Sequence, residues 1–216
     1  MKISQWKRYQ LAGLLVFVVP LLLAGCATRS LPPLPTSKGA LPSTTDPANY
    51  NYLIGPGDSV NIFVWRNGEV STTVTVRPDG KITTPLVEDL PASGKTPTQL
   101  ARDIEKALST YIKEPIVTII VGGFIGPYSE QIRVVGEAAR PQALPYRQKM
   151  SLLDLMIAVG GITDFAAGNR ASVVRFVDGK QRQFSVRIED LIKDGDISAN
   201  VDMLPGDILI IPESWF

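Results

Sequence analysis

The chain has no histidine and a single cysteine among its 216 residues. Each shortage removes a class of chemistry. Without histidine, the side chain best suited to proton transfer near neutral pH is missing. A zinc site would have to be built mostly from carboxylates, which suits zinc poorly. One cysteine excludes an internal disulfide. There is no nucleophile elbow and no glycine-rich phosphate loop. Basic residues are not in excess: 22 Lys and Arg stand against 21 Asp and Glu. Three of the basic residues, Lys2, Lys7 and Arg8, fall in the first 25 positions, which hold no acid. The remainder therefore carries about −2, whereas a nucleic-acid surface needs clustered Lys and Arg. No nucleic-acid partner, metal or cofactor is expected. Long apolar runs are missing too. The best, Leu11 to Leu23, falls short of the ~20 residues that span a bilayer, and Pro20 interrupts it. The best internal run, Ile116 to Ile125, is broken by Gly122-Gly123.

What is present begins with an address. The basic residues at 2–8 precede the apolar stretch LAGLLVFVVPLLL, and Leu23-Ala24-Gly25-Cys26 follows at once. That layout predicts a secretory signal over residues 1–25. The small residues before Cys26 resemble the lipobox of bacterial lipoproteins, in which the cysteine thiol is diacylglycerated and becomes the new N-terminus. This implies a membrane contact through a lipid anchor. Two or three acyl chains hold stably where one is marginal, at roughly 0.8 kcal/mol per buried CH₂. Ala27 stands where an aspartate is associated with inner-membrane retention, so the resemblance implies the outer membrane, on its periplasmic face. Residues 26–49 carry Pro32, Pro33, Pro35, Pro42 and Pro47 among small polar residues. Such a stretch cannot bury enough apolar surface to fold and is read as an extended tether.

The stretch from Tyr52 to Val87 is dense in turn and strand signals. Gly55-Pro56-Gly57-Asp58 makes a tight turn, and the β-rich run Val60 to Trp65 follows. A turn at Asn67-Gly68 leads to a strand over Val70 to Val76. Arg77-Pro78-Asp79-Gly80 predicts a hairpin turn by mechanism, since Pro presets φ, Asp caps its own backbone and Gly takes positive φ. A strand over Lys81 to Val87 is expected after it. Thr96-Pro97-Thr98-Gln99 predicts a helix start with a capping box. Leu100, Ile104, Leu108 and Tyr111 recur at helical spacing and are expected to face inward. Pro115 closes the helix, and Ile116 to Val121 reads as a central strand.

Beyond Gly122, Gly123, Gly126 and Pro127 a second unit is expected. It holds a strand QIRVVG ending at Gly136, a turn at Arg140-Pro141, and Ala143 to Tyr146 pairing back. Ser151 to Asp154 is another capping signal, and the helix it opens places Leu152, Leu155, Met156 and Val159 inward until Gly160-Gly161 stops it. Ala171 to Val177 and Arg182 to Val186 flank Asp178-Gly179, a strong hairpin signal. A second Pro-Gly-Asp, at Pro205, Gly206 and Asp207, precedes the last strand, Ile208 to Ile211. The two Pro-Gly-Asp turns read either as an internal echo or as unrelated turns.

GPGD opening a strand, then RPDG and KITTPLV, resembles the polysaccharide export domain of outer-membrane polysaccharide export lipoproteins. The stretch VVGEAARPQALPYRQKMSLLDLMIAVGGITDFA resembles the soluble-ligand-binding β-grasp (SLBB) domain. It departs from the family in having Gln142 after Pro141, where glycine is usual. The resemblance implies an α+β fold: an export domain over residues 50–127, a small sheet with one helix, then an SLBB β-grasp domain over 128–216. It further implies a homo-oligomeric ring that passes a polysaccharide chain and bridges an inner-membrane co-polymerase to the outer membrane. No bond is made or broken. With four residues after Pro212, no C-terminal membrane-spanning helix is expected, and a separate outer-membrane β-barrel partner is expected instead. A second reading is a monomeric periplasmic lipoprotein that binds a glycan or small ligand, with Trp65, Tyr128 and Tyr146 as aromatic platforms. An enzyme acting on a glycan would need paired carboxylates. Asp58 and Asp79 sit in turns that account for them, and Glu88 and Asp89 remain.

Overall fold

The computed structural model describes residues 50–215. Cys26, the signal segment and the tether lie outside the described residues, as does Phe216. The described chain is α+β, with two hydrophobic cores that follow one another in sequence.

The first core is built on a three-stranded antiparallel sheet in the order β2-β1-β5, with β1 at Ser59–Val64, β2 at Thr72–Thr75 and β5 at Val117–Gly122. Along β1 burial alternates, as the two-residue strand period requires. Val60, Ile62 and Val64 point inward, while Phe63 and the following Trp65 point out. Helix α1, Pro97–Leu108, covers the inner face with Leu100, Ala101, Ile104 and Leu108. Its capping box forms as the sequence predicts: Thr96 accepts from the Gln99 N–H, and Gln99 accepts from the Thr96 N–H. Tyr111 does not join that stripe. The helix ends at Leu108, so Tyr111 leaves the periodic face and is exposed.

Three further expectations are corrected here. The strand expected over 81–87 is a hairpin, β3 Lys81–Thr84 and β4 Val87–Pro91, because the chain reverses at Pro85-Leu86, where Leu86 takes φ 67°. The RPDG turn forms, with the Gly80 N–H donating to the Arg77 carbonyl, but it joins β2 to β3 in a different sheet and does not make a hairpin. β5 is an edge strand, not a central one, since β1 alone pairs with it. Its first residue is blunted by α1: Glu105 accepts from the Val117 N–H, and Arg102 donates to the Val117 carbonyl.

The second core lies between a five-stranded sheet, in the order β7-β6-β10-β8-β9, and helix α2, Leu152–Val159. The strands are β6 Gln131–Gly136, β7 Ala143–Pro145, β8 Ser172–Val177, β9 Lys180–Ser185 and β10 Ile208–Ile211. β10 runs parallel to β6 and antiparallel to β8. Leu152, Leu155, Met156 and Val159 are buried as the spacing predicts. Ser151 and Asp154 close the capping box, and Gly160 caps the helix in the left-handed region. Asp178 and Gly179, both at positive φ, turn β8 into β9, the signature of a two-residue hairpin. A short helix, α3 Ile188–Ile192, went unread because it offers less than two turns of periodicity.

Candidate functional site

The two Pro-Gly-Asp turns have the same local geometry. In each, the aspartate carboxylate accepts the N–H three residues back, Gly55 to Asp58 and Leu204 to Asp207, both at 2.8 Å. In each, the aspartate N–H returns to that residue's carbonyl at 3.2 Å, and the glycine has positive φ. Both aspartates are fully buried. The repetition is thus one of turn geometry, since both turns solve the same problem of starting a strand at the edge of a core.

What each carboxylate does next differs. Asp58 also accepts from the Tyr52 hydroxyl in a short bond, and from the N–H groups of Ile125 at 2.7 Å and Gly126 at 3.3 Å. Gln131 donates to the carbonyls of the same two residues at 3.2 and 3.3 Å. The segment joining the two cores is therefore held by its N–H groups on one side and its carbonyls on the other. Gly55 lies against it: a Cβ there would stand 2.0 Å from the Gly126 carbonyl carbon and 2.3 Å from the Pro127 nitrogen. No side chain fits. Burial, then the hydrogen bond to Asp58, raises the Tyr52 pKa above its usual value.

Asp207 is held by Arg175, which donates through Nε at 2.9 Å and Nη2 at 2.6 Å, and Nη2 also reaches the Asp202 carbonyl at 2.8 Å. This bidentate pair satisfies a carboxylate that burial would otherwise penalise. Gly136, at the end of β6, lies where a Cβ would meet the Ile211 carbonyl oxygen at 2.0 Å. Arg77 and Asp79 form an ion pair at 2.5 Å, and Arg77 reaches Asp89 at the same distance. Pro56, Pro78 and Pro205 sit in their turns, Gly80 ends the RPDG turn, and Gly161 follows the α2 cap. These residues are thus spread over three turns, the end of β6 and the cap of α2, and do not converge on one cleft.

Three of the four carboxylates weighed for catalysis are committed elsewhere, and the fourth, Glu88, is exposed on β4. Asp58 is saturated by four donors, and Asp79 and Asp89 share Arg77. Among the described residues, no group of three His, Cys, Asp or Glu could hold a metal ion. No helix among them is long and apolar enough to cross a membrane. Of the three aromatic platforms, Trp65 and Tyr128 are exposed, whereas Tyr146 is a core residue packed edge-on to Tyr50 at 4.9 Å. Sequence reasoning missed Tyr52, Arg175 and Gln131 as clamps. Their partners are 6, 32 and 5 residues away, and no local pattern announces them.

The model of the family described as polysaccharide biosynthesis/export protein matches residues 46–122, and that of the SLBB domain matches residues 131–185. The chain is 26% identical over 186 residues to the EPS I polysaccharide export outer membrane protein EpsA of Ralstonia nicotianae, covering 75% of this chain and 47% of that protein. It is 27% identical over 132 residues to the exopolysaccharide production protein ExoF of Rhizobium meliloti, covering 55% of this chain and 30% of that one. The chain thus spans less than half the length of either relative. A polysaccharide biosynthesis/export domain is thus followed by one SLBB domain, the pair of domains on which the resemblance to polysaccharide export proteins rests.

Proposed function

We propose that this protein is a non-enzymatic component of an exopolysaccharide or capsule export machine, lipidated on Cys26 and held at the periplasmic face of the outer membrane. Copies assemble into a ring that forms part of the conduit. The ring couples an inner-membrane co-polymerase to a separate outer-membrane β-barrel, and the glycan chain passes through. The observation that carries this reading is the domain order, an export domain and then an SLBB domain, shared with relatives named for polysaccharide export.

Physical features support it. The two cores are joined through a segment whose backbone is hydrogen-bonded on both sides by Asp58 and Gln131. A rigid two-domain unit suits a ring wall better than a hinged ligand trap does. Asp58, Asp79 and Asp89 are spent on a turn and on ion pairs, which suits passage of a polymer more than cleavage of one. The native mass of the full-length protein, extracted in mild detergent, tests the assembly. A multiple of the monomer mass is expected. A strictly monomeric species would instead favour a ligand-binding lipoprotein. Replacing Cys26 with alanine should release the protein from the membrane fraction, and retention there would remove the lipid anchor from the proposal.

A further inference from the structure

Two clefts open on either side of β7 and share Pro145. One, of about 470 Å³, is lined by Leu144, Arg147, Lys149, Met150, Asp154 and Ile157, among others. The other, of about 380 Å³, is lined by Phe124, Tyr128, Gln131 and Ala143, among others. Both volumes lie in the range of sites for small ligands or single sugar units. Their linings differ in chemistry. Phe124 and Tyr128 are 55% and 73% exposed and line the second cleft. Gln131, in the same lining, is buried, its amide nitrogen donating to the Ile125 and Gly126 carbonyls. At the other end Arg147 and Lys149 are exposed cations with no acidic partner among the described residues. The one acid in that cleft, Asp154, accepts from the Ser151 hydroxyl and N–H, bonds that hold its pKa below the usual carboxylate range and keep it ionised, so two cations stand against one carboxylate there. Ile157, 70% exposed, gives the basic cleft an apolar wall.

We propose that this pair of clefts is a contact site for an acidic glycan chain. A sugar ring lies on Phe124 or Tyr128, whose faces are apolar with a polar edge nearby. A carboxylate-bearing sugar further along the chain is held by Arg147 and Lys149, where a guanidinium matches carboxylate geometry. Charge complementarity selects the occupant: two unpaired cations beside apolar wall and aromatic faces call for an anion with a carbohydrate body. The two clefts meeting at Pro145 suit a chain of linked units more than an isolated ligand. The inference rests on the export reading for the class of ligand, and it names the part of the surface the polymer meets.

The test is isothermal titration of the full-length protein, in detergent, with oligogalacturonate and with maltohexaose as the neutral control. Oligogalacturonate should bind at least tenfold more tightly than maltohexaose, and this preference should fall as salt is raised. The double variant Arg147→Ala/Lys149→Ala should lose that preference, and Tyr128→Ala should weaken both oligomers, with melting temperatures unchanged. Equal affinity for the two oligomers, or binding that ignores all three substitutions, overturns the site. So does binding to phosphatidylglycerol vesicles through Arg147 and Lys149 without binding to the oligomer, which would assign the cations to a lipid surface. The export reading fails separately: a deletion strain that still secretes polymer contradicts export even when the purified protein binds oligogalacturonate.

Discussion

Asp58 concentrates the physics of the first domain in one side chain. Two of its four donors, Ile125 and Gly126, lie 67 and 68 residues further along the chain, and the others are Tyr52 and, in its own turn, Gly55. Asp58→Asn replaces an all-acceptor group with one whose amide end faces donors. The expected loss is roughly 1–3 kcal/mol, since buried N–H groups are left without an acceptor, and it would be read from chemical denaturation. Gly55→Ala should do comparable harm for a steric reason, because backbone atoms cannot withdraw as the end of a flexible side chain can. Overpacking of this kind costs roughly 1–3 kcal/mol. Arg175→Ala leaves the fully buried Asp207 with the Leu204 N–H as its remaining donor. The cost is about 2–3 kcal/mol, less than for a wholly buried pair because Arg175 is a quarter exposed. If it melted like the wild type, Asp207 would not depend on that ion pair.

At the scale of elements, the caps were the most legible feature. Thr96 and Ser151 announce α1 and α2 through fixed local spacing, and both capping boxes form. Thr96→Ala should lower stability by about 1 kcal/mol, a shift visible in a thermal melt. The Asp178-Gly179 hairpin was equally legible, since a two-residue turn carries its own φ requirement. Strand partners were not. The sequence around Arg77 to Gly80 specifies a turn but not which sheet the next strand joins, so β3 was expected beside β2 and instead pairs with β4. The apolar run at 116–121 suggested a central strand. β5 is an edge with Ile116 and Ile120 exposed, because apolar density alone does not reveal what covers it. The clamps missed for the candidate site share this cause: Arg175 and Gln131 act through contacts that only the folded chain creates.

For the whole molecule, one pH dependence follows from the tyrosines beside the seam and the second core. Burial, together with nearby Glu130 and Tyr146, pushes the Tyr50 pKa up to about 12, and Tyr52 is raised as well. In the unfolded chain a tyrosine titrates near 10, so the folded state holds these protons more tightly. Their contribution to stability is therefore complete below about pH 10 and is lost as pH rises from there through 12. Thermal melts between pH 8 and 11.5 should show an alkaline decline that Tyr50→Phe and Tyr52→Phe each make shallower. An unchanged slope in both variants would place the alkaline transition elsewhere. The family assignment came from combinations rather than single signals, since GPGD, RPDG and the SLLDLM helix are each ordinary turns or caps when taken alone.

The central claim, that this chain serves polysaccharide export, is tested most directly by an in-frame deletion with glycan assayed in both medium and periplasm. The account predicts that secreted polymer vanishes, that polymer or its precursors accumulate inside the cell, and that a plasmid copy restores secretion. Undiminished secretion in the deletion strain, with no second copy of the gene to cover the loss, would contradict it.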